Sequence, residues 1–299
     1  MPGRLKAEGL LLAAAIIWGG GFIAQKIGMD DIGPWAYTGA RYGIALLAML
    51  PLLWLPVPGG SNRKPKLHSK RALLIGGTLA GLGIAVGGIL QQTGIERTSA
   101  GNAGFITGLY VILVPVLGLF IGYVVRITVW SGALVAIFGL YLLSIQGGRE
   151  INPGDVLVFL GTFAWAFQVL VIGWASPRTD PMRLAVLQIG VAAALTIIAA
   201  AIVEGFTLDT LLAAKWPLLY SGILATSVAF TFQIIGQQRT PPAVAGMLLS
   251  LEAVFAAVAG YFLLGELLGT MQLIGCGLML AGILISQLNP GRRRRFFKR

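Results

Sequence analysis

One cysteine, Cys276, and one histidine, His68, are all that 299 residues contain of these two reactive side chains. A lone thiol closes no internal disulfide, so cysteine usage does not report the redox compartment. A lone histidine, placed in a polar connection, leaves no H-E-x-x-H and no His-paired nucleophile. Charge is scarce as well: Asp, Glu, Lys and Arg together make up 11% of the chain. No aspartate falls inside an apolar run, and there is no G-x-x-x-x-G-K-[ST] phosphate loop. An intramembrane hydrolase and an in-chain ATPase therefore lack their residues. The expectation is a protein that is not an enzyme and uses neither metal nor cofactor.

Apolar residues fill the space left by charge. The chain is 57% hydrophobic with a mean hydropathy of +0.84, which would expose far too much apolar surface in a soluble protein. Apolar runs recur at about 9–28, 33–55, 72–93, 99–123, 127–146, 156–175, 184–203, 216–237, 242–264 and 269–288. At 1.5 Å rise per residue each covers roughly 30 Å of hydrocarbon. The longest connections, about 55–71 and 203–215, are too short for a soluble domain. The first run has a basic flank but carries Trp18 and Gly19-Gly20-Gly21 at its centre and no clear small-x-small cleavage site, so it reads as a retained helix.

The halves repeat. Gln91, Gly94, Arg97, Thr98, Ala103 and Gly104 recur 142 positions later as Gln233, Gly236, Arg239, Thr240, Ala245 and Gly246. The same offset relates Gly118 to Gly260, Phe120 to Phe262 and Ser144 to Ser286. Each half holds five spans, an odd number, so the second copy is inverted. The expected fold is an all-α integral membrane protein of ten transmembrane helices, with one five-helix repeat over 1–148 and the other over 149–299. Inverted repeats are a building plan of secondary transporters, whose solute site lies near the bilayer midplane between the copies.

Net charge is +11, and its placement is one-sided. With the N-terminus inside, seventeen Lys and Arg fall on the cytoplasmic side, including Arg63, Lys64, Lys66 and the tail Arg292–Arg299, against Lys26, Arg97, Arg149 and Lys215 outside. The outer side also holds Glu150, Glu204 and Glu266 among its acids. This positive-inside bias places both termini in the cytoplasm. The basic tail pins the C-terminus inside or attracts anionic lipid. No motif supports nucleic-acid binding.

The second half carries Leu251-Glu252-Ala253-Val254, Gly260, Gly265-Glu266-Leu267-Leu268, Gly275 and Gly282; the first carries Trp18-Gly19-Gly20-Gly21-Phe22, Ala40-Arg41-Tyr42 and Phe105-Ile106-Thr107-Gly108-Leu109-Tyr110 with Pro115. Over essentially its whole length the chain resembles EamA-type members of the drug/metabolite transporter superfamily, and within it bacterial amino-acid exporters, the aromatic type included. Ala253 stands where the family usually has Pro, and Tyr123 where the first half often has Glu. The resemblance implies a bacterial inner-membrane carrier that exports or exchanges small metabolites by alternating access. Neutral or hydrophobic amino acids, aromatic ones included, are the expected solutes. Drugs, purines and sugar phosphates are alternatives, as is a non-coupled channel, and the oligomeric state stays open between monomer and homodimer.

Two charges lie well inside spans, where each costs about 2.5–3.5 kcal/mol on insertion scales. Glu252 reads either as a protonatable coupling group or amine partner, or as a buried packing acid. Arg41 reads either as snorkelling to the interface or as holding a substrate carboxylate. Amides Gln25, Gln91, Asn102, Gln168 and Gln233 should face the bundle interior, because lipid leaves them unpaired. Thr226, Phe230, Gln233 and Gln237 share one helix face at i, i+4, i+7 and i+11. Trp165 neighbours Gln168, Thr107 neighbours Tyr110, and Trp18 and Trp165 occupy comparable places in the two repeats. The expected solute-binding set is Trp18, Gln25, Gln91, Asn102, Tyr110, Trp165, Gln168, Phe230 and Gln233. Amides equally serve as interhelical glue. Trp35, Tyr37, Trp54, Trp130, Tyr141, Trp174 and Trp216 read as interface belt. Glycines four apart (Gly77/Gly81, Gly83/Gly87, Gly104/Gly108, Gly118/Gly122) permit close helix approach, and Pro115 is expected to bend span four.

Overall fold

The computed structural model describes residues 2–53, 69–144, 153–265 and 269–288. Trp54, His68, Arg63, Lys64, Lys66, Arg149, Glu150, Glu266 and the tail Arg292–Arg299 lie outside the described residues.

The described elements are helical. Three helices, α1 (Pro2–Gly28), α2 (Pro34–Met49) and α3 (Lys70–Arg97), precede two half-helices, α4 (Ala100–Gly108) and α5 (Tyr110–Phe120), and α6 (Ile127–Ser144). Then come α7 (Pro153–Ala175), α8 (Pro181–Val203), the short α9 (Leu208–Ala213) and α10 (Lys215–Leu219). A π-helical stretch, Tyr220–Val228, runs on into α11 (Ala229–Gln237). Half-helices α12 (Pro242–Leu249) and α13 (Glu252–Leu264) and a last helix α14 (Thr270–Gln287) complete the order. Helix starts follow local chemistry: Ser69, Ser99 and Asp180 each accept a hydrogen bond from the backbone three residues on.

Eight helical runs among the described residues are long and apolar enough to cross a membrane. Of the ten expected spans, two fall short of that measure. The apolar part of α6 is Ile127–Leu142. Helix α2 has 16 residues and gives way to a tight turn, Leu50–Leu53, rather than continuing to 55. Pro51 has no N–H to offer the preceding turn, which ends the α-helix there. The connection after α8 holds the unforeseen α9, started by a reciprocal Thr207–Thr210 capping box.

Span four is interrupted six residues before Pro115. Pro115 lies inside α5, and the break is at Leu109. A matching break separates α12 from α13 at Ser250–Leu251, and 251 is 142 positions after 109. Position 257, the counterpart of Pro115, is Ala257. Proline is therefore not the shared cause of the two breaks. Gly122 also departs from the glycine-pair expectation: it sits in an exposed turn at φ +83, which glycine adopts without steric cost.

Packing interlaces residues 1–148 with 149–299. Helix α3 runs along α7, α2 along α8, α6 along α14, and α1 against α11 and α13. The related glycines Gly94 and Gly236 permit two of these approaches. A methyl on Gly94 would stand 2.6 Å from the Gly154 carbonyl oxygen on α7, and one on Gly236 2.9 Å from that of Ala7 on α1. Arg4 donates to Glu8 (2.6 Å) and to Gln287 (2.7 Å), so α1 begins where α14 ends, at one end of the bundle. Large apolar side chains cover the outside; the repeat-related Phe120 and Phe262 are 83% and 76% exposed. Such a surface suits hydrocarbon rather than water.

Candidate functional site

Seven of the transbundle helical runs lean their inner faces on one cavity. Helix α1 contributes Trp18, Phe22 and Gln25, at i, i+4 and i+7 on one face. Helix α2 contributes Arg41 and Tyr42, α3 Gln91, and α7 Trp165, Gln168 and Val169. The π-helical stretch and α11 add Ala225, Thr226, Phe230 and Gln233. Thr107 and Tyr110 flank the first helix break, Leu249 and Glu252 the second.

Three rings form the apolar wall. The Phe230 ring meets Trp18 edge-on at 5.0 Å and stacks with Trp165 at 6.1 Å and 30°. Both indoles are anchored by their N–H. Trp18 donates to the Ala225 carbonyl (2.7 Å), and Trp165 donates to Gln91 Oε1 (2.7 Å). Each tryptophan, from the first helix of its half, thus reaches the third long helix of the other half. Anchored rings lose little entropy when a flat apolar group stacks on them.

The amides divide into engaged and free. Gln168 and Gln233 form a reciprocal pair, Nε2 to Oε1 at 3.1 and 2.9 Å, and Gln168 Nε2 also reaches Gln188 Oε1 at 3.3 Å. Both are essentially sealed, at 1% and 0% exposure. Gln237 is buried on the same face but donates to the Val169 carbonyl (2.9 Å), away from the cavity lining. Gln25 donates to Gly21 O (3.1 Å) and keeps Oε1 without a partner. Three buried atoms on these walls lack a hydrogen-bond partner, Gln25 Oε1, Arg41 Nε and Thr107 Oγ1, while Tyr110 and Glu252 face each other. Buried polar atoms are normally paired, so these three stand apart from the bonded amides beside them.

The π-helical stretch shapes the α11 wall. Its looser turns are taken up by hydroxyls five residues on: Thr226 Oγ1 donates to Ser221 O (2.7 Å) and Ser227 Oγ to Gly222 O (3.0 Å). Single-turn π-helical insertions frequently occur at functional sites.

Of the eleven residues singled out from the sequence, ten line this cavity. Asn102 does not. It lies in the first turn of α4, half-buried, where its backbone N–H is held by Ser99 Oγ (3.1 Å). Counting an amide as interior does not tell how far along a helix it sits from the common cavity. Phe22, Tyr42, Val169, Ala225 and Leu249 were missed. Phe22 shares the Trp18 face and Tyr42 adjoins Arg41, so both carried a readable signal.

The EamA-like transporter family matches the chain twice, over residues 5–145 and 152–288. An uncharacterized transporter of Archaeoglobus fulgidus is 32% identical over 95% of this chain and 87% of its own length. The uncharacterized inner membrane transporter YedA of Escherichia coli K12 is 26% identical, over 94% and 90%. The uncharacterized transporter YoaV of Bacillus subtilis is 24% identical, over 95% and 97%. A solved crystal structure superposes with a TM-score of 0.71 at 18% identity, covering 94% of this chain and 96% of that one, and shares its fold. With a helical bundle long enough to cross a membrane and a family match in each half, this chain belongs to the EamA-like transporter family and is a multi-pass membrane transporter.

Proposed function

We propose that the chain is a ten-helix secondary carrier of the bacterial inner membrane, built from two inverted five-helix repeats with both termini cytoplasmic. It exports or exchanges small metabolites by alternating access, and its preferred solutes are neutral amino acids with hydrophobic or aromatic side chains. One observation carries the substrate reading: the Trp18–Phe230–Trp165 wall lies in the same cavity as three unpartnered buried polar atoms, Gln25 Oε1, Arg41 Nε and Thr107 Oγ1. An apolar side chain stacks on the rings while the polar end of the solute completes the hydrogen bonds. A phosphate-bearing solute wants several cations at its site, and among the described residues Arg41 is the one cation lining this cavity.

The solute-facing residues on this reading are Trp18, Gln25, Gln91, Tyr110, Trp165 and Phe230, with Gln168 and Gln233 bracing the wall behind them. Glu252, beside Tyr110, is the acid that lines the cavity and the natural group to couple transport to protons. Alternating access on this reading draws on the matched interruptions at Leu109 and Leu251, next to cavity-lining residues in each half.

Counterflow tests the proposal. Purified protein in liposomes preloaded with unlabelled phenylalanine should concentrate labelled phenylalanine transiently, and other hydrophobic amino acids should compete. Simple downhill leak with no acceleration from the far side identifies a channel. Competition by sugar phosphates, purines or organic cations alone overturns the substrate class.

A further inference from the structure

One cation in the cavity wall has no counter-ion. Arg41 lies at the middle of α2 and is 5% exposed, and among the described residues no carboxylate stands within ion-pair distance of it. Its partner is its neighbour: Nη2 donates to the Tyr42 hydroxyl at 3.0 Å, and the guanidinium sits 4.7 Å from the Tyr42 ring centre. The Tyr42 hydroxyl is held in turn, donating to the Ile84 carbonyl at 3.4 Å. Arg41 Nε remains buried and unpartnered. A buried guanidinium fixed on one edge and unpaired on another is expensive to keep unless a bound anion completes it. Its Nε edge is suited to a carboxylate, which takes two parallel hydrogen bonds from such a face.

Glu252, at the start of α13, also lines the cavity, is 4% exposed and faces Tyr110. We propose, resting on the carrier reading above, that Arg41 is the carboxylate-binding residue of this transporter. It holds the carboxylate end of an organic solute whose apolar body lies on the Trp18–Phe230–Trp165 rings, and Tyr42 positions the guanidinium. The substrate class is then narrowed to compounds bearing one carboxylate on an apolar body, and cationic amines lacking it are poor solutes.

The test is calorimetric titration of purified protein with phenylalanine, 3-phenylpropionate and phenethylamine, which share the ring and differ in the charged groups. Wild type should bind both carboxylates more tightly than the amine. Arg41→Gln should weaken both carboxylates by ~30-fold, the scale for truncating one partner of a buried charge pair, and move phenethylamine by less than about threefold. Arg41→Lys, which keeps the charge and loses the paired face, should fall between. If Arg41→Gln is not monodisperse, Tyr42→Phe serves: loss of the hydroxyl should weaken the carboxylates about threefold relative to the amine. Equal losses for all three ligands, or failure of wild type to bind either carboxylate, overturns the assignment. If 3-phenylpropionate binds in an Arg41-dependent way but phenylalanine is neither bound nor transported, the amino-acid reading falls and the Arg41 assignment stands. If phenylalanine is carried and Arg41→Gln leaves its affinity unchanged, the reverse holds.

Discussion

At the scale of single residues, the pairing of Gln168 with Gln233 separates bracing from binding. Gln233→Ala leaves both polar ends of the buried Gln168 amide short of a partner, which costs about 1–3 kcal/mol. The expected outcome is a lower unfolding temperature in detergent. Gln168→Leu combined with Gln233→Leu should recover only part of that loss, because the paired amides are gone but buried Gln188 Oε1 loses its Gln168 donor; a double-mutant cycle of melting curves measures it. Phe230 is different, since its ring is part of the wall and contacts both tryptophans. Phe230→Ala should raise the half-saturation for phenylalanine about tenfold, the loss of stacking worth ~1.4 kcal/mol, and change that for alanine little. Glu252→Gln keeps the shape of the side chain and removes its proton chemistry. If Glu252 couples transport to protons, uptake into vesicles by this variant should no longer respond to an imposed pH gradient. A response equal to wild type assigns Glu252 to packing.

At the scale of elements, helix ends are tied across the chain. The start of α2 has no side-chain cap of its own: Gly33 precedes Pro34, and the cap comes from Glu204 at the end of α8, whose Oε2 accepts the Ala36 N–H at 2.8 Å. A carboxylate at a helix N-terminus also complements the helix dipole. Glu204→Gln should cost about 0.5–1 kcal/mol of stability, read as a small fall in melting temperature at low salt that narrows at high salt. On the same end of the bundle, Lys26 from α1 closes the C-terminus of α3, donating to the carbonyls of Ile95 (2.8 Å) and Thr98 (3.0 Å). Thr98 donates to Asp155 Oδ1 (2.6 Å) at the start of α7. These links hold three helices of both halves in register above the cavity, while the matched breaks at Leu109 and Leu251 leave each of two spans as two shorter segments.

At the scale of the whole molecule, the contact between Arg4 and Gln287 puts the first and last helices' outer ends side by side. With Arg4 and Lys6 at the start of α1, both ends should be cytoplasmic by the positive-inside rule. Tags at the N- and C-terminus should both resist protease added to intact spheroplasts and both be cut after lysis. Cleavage of one tag alone from outside contradicts the inverted-repeat plan.

Much of this was legible in the residues themselves. Composition and apolar run length decide that the chain lives in lipid, because an unpaired backbone or a sparse charge pattern admits few other solutions there. The 142-residue echo pairs Gly94 with Gly236, and each lets its helix press on the first helix of the other half. Interior amides, aromatics and the two mid-span charges were readable as a set, since lipid excludes them. Tertiary structure alone decided which of them share one cavity and which are already satisfied. Asn102 lies away from the cavity by its place along α4, and Gln168 and Gln233, on its wall, are bonded to each other. The breaks at Leu109 and Leu251, the π-helical stretch and the missing counter-ion of Arg41 depend on how helices meet, and spacing along a single chain does not encode which atoms of a distant helix arrive to pair.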